Sequence, residues 1–101
     1  MHVLERDIEG DTCRRAENEM GVTNTKLVTP GQTGWPDRIF WLPKRPFLIE
    51  FKKPGESPKK KQSYIHDMLV KLGYEVEVHD DTDKALAAIR AALKRRGIKC
   101  K

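Results

Sequence analysis

Two short apolar runs, Arg38 to Leu42 and Phe47 to Lys52, constrain the fold of this 101-residue chain more than any other feature. Each run has the length and the apolar content of a β-strand, and only the segment Pro43-Lys44-Arg45-Pro46 separates them. Two strand-like runs with a connection of this kind are typical of a β-hairpin. The central part of the chain is therefore predicted to form an antiparallel hairpin.

The periodicity of the remaining chain places helices and further strands on both sides of this hairpin. The predicted elements are a helix from Leu4 to Met20 that stops at Gly21, a strand over residues 22–29, the two hairpin strands, a helix opened by Ser57-Pro58 and ended by Gly73, a strand from Tyr74 to His79, and a helix capped by Asp81 or Thr82. This order predicts one α/β domain over residues 1–101, with a mixed central sheet flanked by helices.

The predicted hairpin also brings charged residues together. A four-residue turn sets Asp37 opposite Lys52 and Ile39 opposite Glu50, and residues two apart on a strand share a face. Asp37, Glu50 and Lys52 then converge at the open end of the hairpin, while Phe51 points the other way into the core. Two carboxylates beside an ammonium suit Mg²⁺, held by Asp37, Glu50 and the backbone carbonyl of Phe51. A surface cluster of salt bridges has the same spacing, and spacing by itself favours that simpler interpretation.

The distribution of charge favours a polyanionic partner. The chain carries 20 Lys and Arg against 15 Asp and Glu, a net charge of +5, which ordinary solubility would also explain. The basic residues, however, are grouped, and a run of three lysines at a helix amino terminus opposes the helix dipole. Contact with phosphates would account for that run, although a solvated face is the alternative. The residues expected to contact phosphates are Lys53, Lys59, Lys60 and Lys61.

The cysteine content and the hydropathy indicate a cellular compartment. Cys13 and Cys100 lie at opposite ends of the chain without metal-ligand spacing, so we expect free thiols in a reducing environment. The sequence contains no signal peptide and no long apolar run. We therefore expect a soluble, intracellular, cytoplasmic protein with no membrane partner.

Several motifs together resemble a known family. They are Gly34-Trp35-Pro36-Asp37-Arg38, Ile49-Glu50-Phe51-Lys52, Gln62 and Leu69-x-x-x-Gly73, set between an initial and a following helix. This combination is similar to the virus-type replication-repair nuclease (VRR-NUC) family of the PD-(D/E)xK nuclease superfamily, and the similarity extends from about residue 5 to residue 93. Pro-Asp and Glu-x-Lys are weak signals alone; the downstream Gln and the element order make them fairly specific. The resemblance implies a restriction-endonuclease-like core.

The resemblance also implies roles for individual residues. Asp37 and Glu50 would be metal ligands and Lys52 the catalytic lysine. The family's glutamine, which supports the metal site from the second helix, corresponds to Gln62, for which capping of nearby backbone groups is the alternative. The family's glutamate on the first helix corresponds best to Glu5, with Glu9 as the alternative.

The activity implied by the resemblance is that of a DNA endonuclease that uses Mg²⁺, with Mn²⁺ able to substitute. Stand-alone members resemble four-way (Holliday) junction resolvases of DNA repair that act as homodimers, so we expect branched DNA and a second copy of the chain as partners. Candidates for the dimer surface are Trp35, Phe40, Trp41 and the apolar residues of the last helix. The alternatives are a non-catalytic basic DNA-binding protein on a nuclease-like fold and a nuclease that acts on flaps, ends or RNA.

Overall fold

The computed structural model describes residues 3–98, and within them the helices and strands follow the predicted order. The elements are α1 (Glu5–Met20), β1 (Asn24–Lys26), β2 (Arg38–Phe40), β3 (Phe47–Phe51), α2 (Lys60–Lys71), β4 (Glu75–His79) and α3 (Thr82–Arg95). The prediction of an α/β fold with a mixed sheet flanked by helices is therefore confirmed.

The ends of α1 and α3 carry the predicted caps. Gly21 follows α1 in the left-handed conformation, with φ 67°, and its N–H donates to the carbonyls of Ala16 and Glu17. Asp81 precedes α3, and its side chain accepts a hydrogen bond of 2.9 Å from the backbone N–H of Lys84.

The predicted start of α2 is wrong. Ser57-Pro58 does not open the helix, which begins at Lys60. The backbone N–H of Lys59 donates to Oε1 of Gln62 over 2.8 Å, so a side chain of the first turn satisfies the N–H of the residue before the helix, as the third helical residue does in a capping box.

The four strands form one sheet in the order β1-β2-β3-β4, in which only the β3–β4 pair is parallel. The hairpin pairs Phe40 with Phe47, so residues 41–46 make the turn and the predicted register is wrong by two residues. Because the side-chain period of a strand is two, this shift leaves every side chain on its predicted face. Continuing the observed register sets Asp37 opposite Glu50 instead of opposite Lys52.

The first strand is shorter than residues 22–29, because regular pairing with β2 covers only Asn24 to Lys26. Single hydrogen bonds extend the pairing on both sides, from the N–H of Leu27 to the carbonyl of Asp37 and from the N–H of Trp41 to the carbonyl of Thr23, each 2.9 Å long. Asp37 is thereby held beside the end of β1.

The hydrophobic core lies between one sheet face and the helices α1 and α3, which pack against each other. Its members include Ile8, Phe40, Phe47, Ile49, Phe51, Leu86, Ile89 and Leu93. Phe40 and the apolar stripe Leu86, Ile89 and Leu93 of α3 are therefore wrong as candidates for a dimer surface, because the core of this chain already buries them.

Helix α2 lies on the opposite sheet face, and beside it runs an apolar groove of about 420 Å³. The groove is lined by Leu27, Trp35, Ile39, Trp41, Pro46, Leu48, Leu69 and Tyr74. Trp35 is half-buried, whereas Trp41 is 51% exposed. Of the dimer-surface candidates, the two tryptophans thus border this open groove.

Cys13 is a free, buried thiol, and burial raises its pKa to about 11, so it is neutral and unreactive at pH 7. Cys100 lies outside the described residues. Among residues 3–98, none of the helices is long and apolar enough to cross a lipid bilayer.

Candidate active site

Asp37 is fixed at the entrance to β2 by backbone contacts. Its own N–H donates to the carbonyl of Ile49 over 3.1 Å, and its Oδ2 accepts a hydrogen bond of 2.7 Å from the N–H of Phe51. The carboxylate is therefore held against the end of β3, beside Glu50, by a charge-assisted hydrogen bond.

Glu5, Asp37 and Glu50 form a cluster in which one carboxylate oxygen of each residue lies within 4.8 Å of the others. We call these three residues the carboxylate cluster. Glu5 is the first residue of α1, whereas Glu50 lies within β3 and is only 2% exposed. Carboxylate oxygens that converge in this way are the ligand type that Mg²⁺ and Mn²⁺ bind.

The electrostatics of the carboxylate cluster disfavour the ionised form of its members. Burial, and then the neighbouring Asp37, raise the pKa of Glu50 to about 8. Burial and Asp37 also raise the pKa of Glu5, and burial raises that of Asp37. In addition, Oε1 of Glu50 is buried without a hydrogen-bond partner among the described residues. A bound divalent cation would favour the ionised carboxylates and would give Oε1 of Glu50 a partner, so the residues present fit such an ion.

Lys52 lies beside this cluster on the same sheet face, as the hairpin argument predicts. Its Nζ is 3.7 Å from Oε2 of Glu50, and the residue is only 7% exposed. Phe51, between them in sequence, is fully buried in the core. An ammonium this well buried next to a carboxylate differs from the exposed salt bridges that the spacing alone would favour.

Gln62 makes the contacts that both of its sequence-based interpretations require, one to the backbone at the start of α2 and one to Glu50. Its Oε1 accepts the hydrogen bond from the backbone of Lys59, while its Nε2 donates to Oε2 of Glu50 over 3.2 Å. The side chain therefore caps α2 and at the same time connects that helix to the carboxylate cluster.

Glu9 is engaged elsewhere. Its Oε2 accepts hydrogen bonds from Nζ of Lys26 over 2.8 Å and from Nε of Arg38 over 2.6 Å. Burial by itself would raise the pKa of Glu9, but these hydrogen bonds outweigh it and lower the pKa. Glu9 thus ties α1 to β1 and β2, and the geometry favours Glu5 as the helix-borne member of the cluster.

His66 lies beside Glu50 although no sequence pattern pointed to it. Its Nε2 lies 3.7 Å from Oε1 of Glu50, and burial lowers the pKa of the ring. A lone histidine carries no spacing signal for a metal site. The available signal was its position four residues after Gln62, which places both side chains on one face of α2.

The four lysines expected to contact phosphates, Lys53, Lys59, Lys60 and Lys61, are all exposed. Lys53 lines an open cleft of about 420 Å³ whose wall includes Glu5 and Asp37. Arg6 and Lys26 line the same cleft. Sequence reasoning missed these two cations, because they lie on α1 and β1, outside the lysine-rich segment.

The loop that leads into Asp37 packs tightly against α2 at Gly34. Gly34 has φ +94°, and a Cβ placed there would lie 3.0 Å from the Cγ and the carbonyl oxygen of Lys61. Gly31 also has a positive φ, +74°, but a Cβ there would meet nothing within 4 Å. The two glycines therefore share backbone strain but differ in their surroundings.

We expect Gly31→Ala to cost about 1–2 kcal/mol, the usual cost of the left-handed conformation. Gly34→Ala should cost about 1–3 kcal/mol more, because the new methyl group must displace the backbone of α2. Urea unfolding of both variants measures the difference. Equal losses would show that the contact between Gly34 and Lys61 does not constrain the loop.

Comparison with known proteins gives a sequence relative and a solved structure. The putative nuclease p44 of Acyrthosiphon pisum secondary endosymbiont phage 1 is 42% identical over 59 residues. This alignment covers 57% of the chain, and the chain spans only 63% of the length of that relative. A solved structure described as a VRR_NUC domain superposes with a TM-score of 0.74 and 25% identity, covering 85% of this chain and 94% of that chain. No family model matches the sequence.

Proposed function

We propose, from the premise that this chain belongs to the VRR-NUC family, that it is a metal-dependent nuclease that hydrolyses phosphodiester bonds in DNA. The observation that carries the proposal is the carboxylate cluster beside the buried ammonium of Lys52, in a chain with the fold of a VRR_NUC domain. The name of the phage relative supports the same class of activity.

In this proposal, Mg²⁺ would be held by Glu5, Asp37, Glu50 and the backbone carbonyl of Phe51, and Mn²⁺ could replace it. When bound, the cation would supply Lewis-acid chemistry, which activates water and neutralises negative charge on a phosphate. Asp37 and Glu50 are oriented for this task by hydrogen bonds from the backbone of Phe51 and from the side chain of Gln62.

The remaining groups act on the substrate directly. The ammonium of Lys52 stabilises negative charge that develops on the phosphoryl oxygens, or orients the attacking water. Arg6, Lys26 and Lys53, which line the cleft at the carboxylate cluster, hold the phosphates on either side of the scissile bond.

The test of the proposal is incubation of the protein with end-labelled linear, flap and four-way DNA, and with RNA of the same sequence, with and without Mg²⁺. We expect cleavage of DNA only when Mg²⁺ is present. Binding without cleavage of any substrate would support the non-catalytic alternative, and cleavage confined to RNA would contradict the assignment of DNA as substrate.

The lysines at the amino terminus of α2 give a prediction about salt dependence. Replacing Lys59, Lys60 and Lys61 together by alanine should reduce the slope of log affinity against log salt by up to about three units, because each phosphate contact releases condensed cations. Fluorescence anisotropy at several salt concentrations measures the slope.

The matched control for these lysines removes the same charge from other exposed positions. Lys71, Lys84 and Lys94, at the end of α2 and on α3, serve this purpose. We expect their joint replacement to change the slope by clearly less. Equal changes would mean that net charge, and not this segment, determines binding.

We further propose that the protein acts as a symmetric homodimer on four-way junctions. Resolution of a junction requires two cuts at symmetry-related positions, and a twofold dimer supplies two identical sites. The apolar groove supports this proposal, because its rim exposes Trp41 by 51% and Tyr74 by 40%, and exposed apolar patches commonly mark interfaces.

The dimer proposal predicts that Trp41→Glu converts the protein to a monomer at micromolar concentration. The variant should still cut flaps but should leave four-way junctions unresolved. Tyr64, which is 65% exposed on α2, provides the control substitution Tyr64→Glu. Light scattering gives the mass, and a wild-type protein that is monomeric and cuts only flaps would contradict both the dimer and the resolvase role.

A further inference from the structure

His66 and Glu50 present two buried polar atoms to each other without either being satisfied. Nε2 of His66 and Oε1 of Glu50 both lack a hydrogen-bond partner among the described residues, and they lie 3.7 Å apart. His66 is 9% exposed and Glu50 is 2% exposed. Buried polar atoms nearly always have partners, and 3.7 Å is too long for a hydrogen bond. A small adjustment of either side chain would pair the two atoms.

The two oxygens of Glu50 meet different groups. Oε2 faces Nε2 of Gln62 at 3.2 Å and Nζ of Lys52 at 3.7 Å, whereas Oε1 faces His66. Gln62 and His66 are four residues apart on α2, so one face of this helix reaches both oxygens of the same carboxylate. Two side chains of this helix therefore lie next to the two oxygens of one carboxylate.

The geometry points to His66 as a positioning residue that fixes the Glu50 carboxylate for binding of a divalent cation. In this role Nε2–H of the neutral ring donates to Oε1 of Glu50 and holds the carboxylate plane relative to Asp37. His66 acts through Glu50, because its ring nitrogens do not belong to the group of mutually close ligand atoms that Glu5, Asp37 and Glu50 form. The inference rests on the proposed function only in that it presumes a cation at the carboxylate cluster.

Loss of a group that orients a metal ligand lowers the affinity for the metal. Groups that orient a ligand typically contribute about 10- to 100-fold to metal affinity, because an unrestrained carboxylate loses rotational freedom on binding. A histidine that merely fills space would affect stability instead, and it would leave the metal affinity of the folded protein unchanged. Affinity and stability can be measured separately.

The test is calorimetric titration of Mn²⁺ into the DNA-free protein, with the melting temperature of each variant recorded. His66→Leu should weaken Mn²⁺ binding by about tenfold or more. His66→Gln should remain within about threefold of the wild type, because the amide Nε2 can also donate to Oε1 of Glu50. Leu69→Val removes one methylene from the buried face of the same helix, and this control should lower stability with unchanged Mn²⁺ affinity.

Unchanged Mn²⁺ affinity in folded His66→Leu would overturn the inference. Equal losses of Mn²⁺ affinity in His66→Leu and His66→Gln would also overturn it, since the affinity would then depend on the imidazole ring and not on the hydrogen bond to Glu50. A wild-type protein that binds Mn²⁺ but cleaves no nucleic acid would refute the proposed function and leave the role of His66 intact. A wild-type protein that binds no Mn²⁺ would refute both.

Discussion

Asp37→Asn and Glu50→Gln should each lower the rate of DNA cleavage by about a hundred- to a thousandfold or more while the fold is retained. Each substitution keeps the shape of the side chain but removes one of the carboxylates whose oxygens converge within 4.8 Å. Single-turnover cleavage of labelled DNA at saturating Mg²⁺ measures the loss, and circular dichroism verifies the fold.

Lys52→Met should separate binding from chemistry. We expect this variant to bind Mn²⁺ normally or more weakly by a small factor and to lose most of its cleavage rate, because the ammonium acts on the phosphate. Glu17→Gln, which removes a carboxylate from an exposed position of α1, is the control and should retain full activity. Unimpaired cleavage by Asp37→Asn would refute the assignment of the site.

The metal-free protein should lose stability as the pH rises from about 4.5 to about 8, the interval over which the pKa of Glu50 is raised by burial and by Asp37. Within this interval the unfolded chain has released the Glu50 proton and the folded chain still holds it. The free energy of unfolding therefore falls by up to about 1.4 kcal/mol per pH unit. The contribution of protonated Glu50 to the free energy of unfolding is fully present below pH 4.5 and is lost once the pH exceeds the pKa of Glu50 in the folded protein.

Glu50→Gln isolates this effect, because glutamine cannot ionise. In excess chelator the variant should be more stable than the wild type at pH 8, and its stability should fall less steeply with pH. Adding Mn²⁺ should stabilise the wild type at pH 8 and should stabilise the variant much less. Urea unfolding at pH 5, 6.5 and 8 provides the comparison. The same dependence of the free energy of unfolding on pH in the two proteins would contradict the assignment of the effect to Glu50.

The hairpin shows why the face of the site could be predicted although its register could not. The turn occupies residues 41–46 instead of 43–46, so the register differs from the prediction by two residues. An even shift preserves the side of the sheet on which Asp37, Glu50 and Lys52 lie. Turn length depends on local packing, such as the burial of Leu42, which the composition of the segment does not report.

Long-range pairings account for what the sequence left open. Glu5 and Glu9 are one helical turn apart and equally suited to reach the sheet, and only the contacts of Glu9 with Lys26 and Arg38 distinguish them. Likewise, Ser57-Pro58 has a good local helix-start signal, but the hydrogen bonds of Gln62 determine where α2 begins. The contacts of Glu9 with Lys26 and Arg38, and that of Gln62 with Glu50, join residues distant in sequence, so no local pattern contains them.

The central claim is that the carboxylate cluster holds a divalent cation that the protein uses to cleave DNA. The most direct test compares the wild type and Asp37→Asn side by side on one labelled DNA, in Mg²⁺, in Ca²⁺ and in excess chelator. We expect product only from the wild type in Mg²⁺, because Ca²⁺ should bind the same oxygens without supporting cleavage. Product in chelator, or equal product from the two proteins, would contradict the claim.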